Sequence, residues 1–294
     1  MPLNPEVVQA LLDKGWSNYK VASELGVHEK TIRNTMRDTK NKSFFDDLSE
    51  KYNIVVDEPI RLDVPEEGIV VTADWHIPLF DHTYASEMMQ RTVDKQKSIV
   101  IAGDFFNFDA LSSYDPKQMG TIEYELSAGR DILKSLGQYF DDIYFIWGNH
   151  DDRLVRALGF KLQFTEAMKM ALGDTLEGIA TFSNLDHLWL DGEADSIYVN
   201  HPKTYSRVPL SGPIRLSDKY RASIICAHSH HCAIGHASDG ISIVSEAGGF
   251  FDRHVTSYLQ RSTTFPTWQQ GYSVVYPDQV TLYSPRFTAE VGYG

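Results

Sequence analysis

The sequence predicts an α/β body preceded by a small all-helical head, and three observations carry that expectation. From Gly68 onward, short runs rich in Val, Ile, Phe and Tyr alternate with helical stretches, the rhythm of sheets flanked by helices. Before about Asn41 the apolar residues recur instead at helical spacing. Charge divides at the same place. The chain carries −13, whereas residues 1–42 hold seven Lys/Arg against five Asp/Glu, so a head of +2 precedes a remainder of −15. That asymmetry points to two parts with different partners, and the acidic body argues against a general nucleic-acid binder.

In the head, PEVVQALLDKG places Val7, Val8, Leu11 and Leu12 on a stripe of period 3.6 that Gly15 closes. A second helix, NYKVASELG, stops at Gly26, and HEKTIRNTMRD restarts with Ile32 and Met36 spaced to face inward. Two short helices around a glycine-containing turn resemble the helix-turn-helix arrangement. Ala22 is small where the helices would touch, Gly26 lies in the turn, Val27 fills the gap and Ile32 packs back. The resemblance implies a recognition helix from about Glu29, offering Lys30, Thr31, Arg33, Asn34 and Arg37 to a DNA groove. A protein-docking or dimerising head is the other reading. One unit of +2 would bind DNA weakly, because phosphate neutralisation supplies most non-specific affinity.

The 294 residues suffice for one large domain or two unequal ones, and 42% hydrophobic with 23% charged residues is ordinary for a soluble globular protein. No apolar run approaches the ~20 residues of a membrane span, so no membrane partner is expected. The N-terminal stretch lacks the uninterrupted apolar segment of a signal peptide. Only Cys226 and Cys232 are present, which excludes a disulfide framework and fits the cytoplasm (a host's, for a viral gene). Two thiols make no structural zinc site, and both are expected as small buried fillers.

Residues 43–67 read as a connector between a head of 1–42 and a body of 68–294. In the body, GIVVTADWH, SIVIAGDFFN, DIYFIWGNHDD, SIYVNHP and SIICAHSHH each run from an apolar strand into a polar loop. Helical stretches at SEMMQRTVDKQK and 122–140 separate the first three. Functional groups of such sheets gather beyond the carboxyl ends of the strands. The loops found there are Asp74-Trp75-His76, Gly103-Asp104-Phe105-Phe106-Asn107, Gly148-Asn149-His150-Asp151, Asn200-His201 and Ala227-His228-Ser229-His230. Any one of them is ordinary turn chemistry. Five in succession, all bearing ligand atoms, point to one shared polar centre. Carboxylates, an amide and several imidazoles suit Mn²⁺ first, with Fe²⁺, Zn²⁺ or Ni²⁺ as alternatives. They are too many for one tetrahedral ion, whereas two divalent metal ions ~3.5–4 Å apart and bridged by a carboxylate would use them all. Later, ISIVSEAGGFF and GYSVVYPDQVTLYSP read as strands completing a second sheet, the latter a hairpin turning at Pro277-Asp278-Gln279.

The series D-x-H, G-D-x-x-N, G-N-H-D, H and A-H-x-H, in that order, resembles the calcineurin-like metallophosphoesterases from Gly68 to the C-terminus. The resemblance implies a four-layer α/β/β/α sandwich with two metals at the strand ends. By motif, Asp74, His76 and His230 would hold one ion, Asn149, His201 and His228 the other, and Asp104 would bridge them. His201 rests on a one-residue motif and its place after SIYVN. His231 has no counterpart and reads as a supporting or exposed neighbour. Two such ions lower the pKa of a shared water and bind phosphate oxygens. His150 then serves as general acid toward the leaving oxygen. Asn107 stands where many relatives carry the Asp that orients this histidine; an amide accepts a hydrogen bond but stabilises imidazolium less. Ala227 replaces the Gly of the last motif, tolerable where its φ is negative.

Protein phosphatases of this superfamily carry Asp-Arg-Gly after the second motif and Glu after the third histidine. Here Asn107-Phe108-Asp109 and Asp151 occupy those places. The GNHD form and Phe105, Phe106 and Phe108 look more like the phosphodiesterase and nuclease branches, the rings either stacking on bases or packing a wall. Arg153 either clamps a phosphate or pairs with Asp151 or Asp152. Lys203, Tyr205 and Arg207, just past a ligand, either hold substrate or form a polar loop. The expected activity is hydrolysis of phosphodiesters in nucleic acid, with the head delivering the enzyme to DNA. The alternatives are a nucleotide or phosphoprotein phosphatase whose head docks a protein, and a DNA-binding regulator with a structural metal centre.

Overall fold

The computed structural model describes residues 5–27, 29–32, 35, 57–112, 120–173, 178–252, 255 and 268–293. The chain divides into two compact units, Met1–Asp57 and Glu58–Gly294.

In the first unit lie α1 (Pro5–Asp13) and α2 (Asn18–Glu24). Ser17 caps α2, its hydroxyl accepting from the Lys20 N–H. Gly15 and Gly26 take φ of +80° and +65° where the two helices end. Residues 29–32 are helical again. Val8, Val21, Ala22 and Ile32 form one buried cluster, with Leu11, Leu12, Trp16, Leu25 and Val27 packed against it. Val7 lies off that stripe and is exposed. Lys30 and Thr31 are exposed, as a groove-facing pair would be. Arg33, Asn34, Met36 and Arg37 lie outside the described residues.

The second unit opens with β1 (Arg61–Asp63), β2 (Ile69–Thr72), α3 (His82–Thr92), β3 (Ser98–Ala102), α4 (Ile122–Leu136) and β4 (Asp142–Ile146). Then come α5 (Asp152–Ala157), α6 (Phe164–Leu172), β5 (Ala180–Phe182), β6 (His187–Asp191), β7 (Ser196–Asn200) and α7 (Ser211–Tyr220). It closes with β8 (Ser223–Cys226), β9 (Cys232–His236), β10 (Ile243–Ala247), β11 (Tyr272–Val275), β12 (Gln279–Tyr283) and β13 (Thr288–Gly292). One sheet runs β1-β6-β7-β8-β10-β9 and the other β13-β12-β11-β2-β3-β4-β5.

Alternation along the strands builds the layers. Ile69, Val71, Val100 and Ala102 join Leu188, Leu190, Ile197, Val199 and Ile225 of the other sheet in a core between the sheets. Their neighbours Val70, Ile99 and Ile101 pack instead with Met88 of α3, Leu133 of α4 and Met168 of α6. On the other sheet, Tyr198, Ile224 and Cys226 turn outward to Ile214 and Leu216 of α7. The result is an α/β/β/α sandwich. Cys226 and Cys232 are both buried thiols.

Three elements depart from the sequence reading. Strand β1, placed in the connector, pairs parallel with β6, Arg61 opposite Trp189, and Arg61 forms an ion pair with Asp191. The compact second unit thus takes in β1 and begins at Glu58, inside the stretch read as connector; three residues are too few to show a period. The two late segments read as completing one sheet go to different ones. Strand β10 joins β8 and β9, whereas β11 pairs antiparallel with β2 and turns into β12. The terminal AEVGYG, uninformative as sequence, supplies most of β13 on an exposed sheet edge.

Strands β2, β3 and β4 are mutually parallel, as are β7, β8 and β10, so each set presents its carboxyl ends on one side. Buried Glu125 of α4 accepts the Phe108 N–H and so ties α4 to the loop after β3. Burial pushes its pKa up to about 7 from 4.5, against the opposing pull of that N–H. Folding thus favours the protonated form: its contribution is complete below pH 4.5 and is lost as pH rises through about 7. Glu125→Gln keeps an acceptor and removes the titration. Between pH 5 and 8 the wild type should lose on the order of 2 kcal/mol relative to this variant in chemical denaturation; parallel curves would contradict the assignment.

Candidate metal centre

The turns that leave the strands are unusual in their backbone. Asp74, His76, Asp104, His228 and His230 all have positive φ, 51°, 48°, 49°, 72° and 54°. Asp and His enter the left-handed region more readily than most residues, but each such position costs about 1–2 kcal/mol. A single left-handed residue bends the chain sharply, which lets Asp74 and His76, or His228 and His230, reach one space from one loop. Ala227 is not among these residues, so its methyl group brings no backbone strain.

The donor atoms converge. His76 Nε2 lies 3.2 Å from His230 Nε2, and His230 Nε2 lies 3.1 Å from Asp74 Oδ1. His201 Nε2 lies 3.2 Å from Asn149 Oδ1 and 3.3 Å from Asp104 Oδ2. Ligand atoms of Asp74, His76 and His230 all fall within 4.8 Å of one another, as do those of Asp104, His201 and His228, and those of His76, Asp104 and His150. Asp104 thus belongs to two groups and stands between them. His201 is fixed through Nδ1 by the Ala102 carbonyl, 2.9 Å away.

Close approach of these loops requires two glycines. A Cβ on Gly148 would collide with the Asp104 carboxylate and amide, and one on Gly103 would lie 2.6 Å from His201 Nδ1. Asp151 stitches the same loops, accepting the Phe106 N–H at 3.1 Å and the Gly148 N–H at 2.9 Å. Burial and the neighbouring Asp104 charge push the Asp151 pKa up.

His150 donates its backbone N–H to Asp104 Oδ1 at 2.7 Å, and its Nδ1 lies 2.8 Å from the Asn107 carbonyl. The orienting group is therefore the backbone of Asn107. Its amide side chain is buried and makes no hydrogen bond, contrary to the expectation that the amide would hold the imidazole. Arg153 also differs from both sequence-based pairings. It donates to the Asn107 carbonyl at 2.8 Å, bridges to Asp109 at 3.2 Å and places Nη2 3.2 Å from His150 Nε2. Asp152 is taken by Arg156. With Nδ1–H donated to a carbonyl, His150 turns its Nε2 lone pair toward that guanidinium. Phe105, Phe106 and Phe108 are wholly buried in the core, which excludes base stacking and leaves wall packing. His231 is buried as well, 3.2 Å from Glu246.

Two of the imidazoles are neutral and fit a cation site, and a third is not. Burial holds the His76 pKa well below its ordinary value, with His150 and His230 adding to the effect, and burial lowers His228 to about 4. Both imidazoles therefore offer lone pairs at neutral pH. Burial also opposes charge on His201, but the adjacent Asp104 carboxylate outweighs it and raises the pKa to about 10. In addition, Asp74 Oδ1 is buried without a hydrogen-bond donor. Carboxylate, amide and imidazole donors at these separations match what divalent transition ions take.

A family model described as calcineurin-like phosphoesterase matches residues 68–246. The chain belongs to the calcineurin-like phosphoesterase family. The family binds divalent metal ions, and its members are metal-dependent hydrolases in general class. No curated protein matches this chain. Among solved structures, vacuolar protein sorting 29 of Cryptosporidium parvum aligns at 10% identity over 76% of this chain and 97% of its own, TM-score 0.41. Chaetomium thermophilum Vps29 aligns at 14% identity over 76% and 95%, TM-score 0.42. Entamoeba histolytica Vps29 complexed with Zn²⁺ aligns at 8% identity over 77% and 99%, TM-score 0.41. Likeness this faint carries no argument about activity.

All seven residues read as ligands thus come together in this calcineurin-like body. Glu246 and Glu125 went unseen as supports because each is distant in sequence from what it holds, as is Asp151 from Phe106. Two outcomes follow. Gly148→Ala should displace Asp104, costing about 1–3 kcal/mol of stability and abolishing metal retention in elemental analysis; a variant that melts and binds metal like wild type would contradict the close approach. Titrating Mn²⁺ at pH 7.5 in buffers of different ionisation enthalpy should reveal release of about one proton per chain, that of His201. Heats independent of buffer would contradict it.

Proposed function

We propose that this family member hydrolyses phosphodiester bonds in nucleic acid with two divalent ions, Mn²⁺ in first place. Asp74, His76 and His230 would hold one, Asn149, His201 and His228 the other, with Asp104 common to both. The observation that supports this reading is the convergence of seven donor side chains from five strand ends around one shared, buried carboxylate. Bound there, such ions supply an activated water and neutralise phosphate charge. The chain's own residues do the rest. His150, fixed at Nδ1 by the Asn107 carbonyl, keeps Nε2 beside the Arg153 guanidinium, from where it would exchange a proton with the leaving oxygen. Arg153, fixed by Asn107 and Asp109, holds that orientation and brings a cation to the phosphate.

The head's exposed Lys30 and Thr31, beside inward-facing Ile32, support DNA contact together with Arg33, Asn34 and Arg37. Two unpaired cysteines support a reducing cytoplasm, and no described helix is long and apolar enough to cross a membrane. With Mn²⁺, DNA and bis-p-nitrophenyl phosphate should both be cleaved, and Asp104→Asn should lower kcat roughly 10²-fold or more. Removing residues 1–42 should raise KM on DNA far more than on the small diester. An unchanged ratio overturns the delivery role; turnover of p-nitrophenyl phosphate with no diester cleaved overturns the diesterase.

A further inference from the structure

The loop 202–210 leaves His201 and returns to the body at Leu210, whose N–H donates to buried Glu246 at 2.7 Å. Both ends are therefore fixed: His201 N–H donates to the Asp186 carbonyl at 2.9 Å. Between them the loop stands out from the surface. It holds two cations, Lys203 and Arg207, and no carboxylate, inside a chain of net charge −13. Midway between those cations sits Tyr205, 58% exposed, its ring edge-on to the His228 imidazole at 5.4 Å and 74°. Lys203 Nζ lies 5.8 Å from the ring of Trp147, next to Gly148-Asn149. One loop thus brings an ammonium over Trp147 and an aromatic ring against His228, at the border of the centre.

With 58% of its surface exposed at the edge of the centre, Tyr205 leaves ring surface available to a flat group beside His228. Flanking cations two residues to either side suit phosphates on both sides of that flat group. We propose that loop 202–210 is the substrate-recognition element, with Tyr205 stacking on the base of the nucleotide esterified to the scissile phosphate and Lys203 and Arg207 binding the phosphates beside it. This deepens the phosphodiesterase reading and rests on it, while the stacking contact is separable from turnover. Every base offers a π-face, so the contact tolerates sequence.

The test uses full-length protein with Mn²⁺ and two esters of p-nitrophenol: p-nitrophenyl thymidine 5′-phosphate and p-nitrophenyl methyl phosphate. Leaving group and chemistry are shared, and only the nucleoside differs. Tyr205→Ala should raise KM for the nucleoside ester roughly tenfold at similar kcat and change the methyl ester less than about twofold. Tyr205→Phe should behave as wild type, because the ring and not the hydroxyl makes the contact. Equal effects on both esters, or none on either, overturn the proposal, as does a Phe variant as weak as Ala. Equilibrium binding of thymidine 5′-monophosphate, followed calorimetrically, should weaken in the same proportion in Tyr205→Ala. If wild type cleaves neither ester, the diesterase reading falls. The binding measurement alone then decides the role of Tyr205: weaker binding in Tyr205→Ala supports it and equal binding overturns it.

Discussion

A single buried carboxylate organises this body. Asp104 is 1% exposed, stands where the loops after three strands meet, and is shared by two groups of side chains whose donor atoms converge. A charge so placed is costly unless compensated. One oxygen takes the His150 N–H and the other faces His201, whose imidazole that charge keeps protonated. Hence the two neighbouring loops must approach almost to backbone contact, and hence Gly103 and Gly148. Remove the charge and the close approach loses its purpose.

The sandwich supplies rigidity for that arrangement. Strands β2, β3 and β4 pair in register in one sheet, β7 and β8 in the other, and apolar side chains fill both faces of the central strands. Left-handed backbone gathers at the exits, where five candidate ligand positions adopt it, held there by bonds such as those of Asp151 to two loops, while Phe160, Leu210 and Arg221 adopt it elsewhere. Strained residues persist only where their surroundings over-determine them, and they cluster at sites that do chemistry. The same logic extends outward, where Glu246 anchors both His231 and the end of the loop bearing Tyr205.

Much of the centre was legible because each ligand directly follows an apolar run, so motif and strand end coincide. Continuous apolar runs closed by polar loops likewise showed which segments were strands, and the apolar spacing of Val8, Leu11, Leu12, Ala22 and Ile32 foretold the head's cluster. Other features left no local trace. Strands β1 and β5 are three residues long, too short to show a period, and β13 lies on an exposed edge where the alternation runs only between exposed and half-buried positions. Which sheet takes β10 and which takes β11 depends on crossovers of the chain, not on composition. Asn107 acts through its carbonyl, and nothing in a side chain announces that. Phe105, Phe106 and Phe108 suited a wall more than bases, and their burial in the core decides for the wall.

The most direct test is diffraction from crystals grown with Mn²⁺, recorded at the manganese absorption edge. The proposed two-ion centre predicts two anomalous peaks ~3.5–4 Å apart, one among Asp74, His76 and His230, the other among Asn149, His201 and His228, with Asp104 next to both. No peak, or peaks away from these seven side chains, would contradict it.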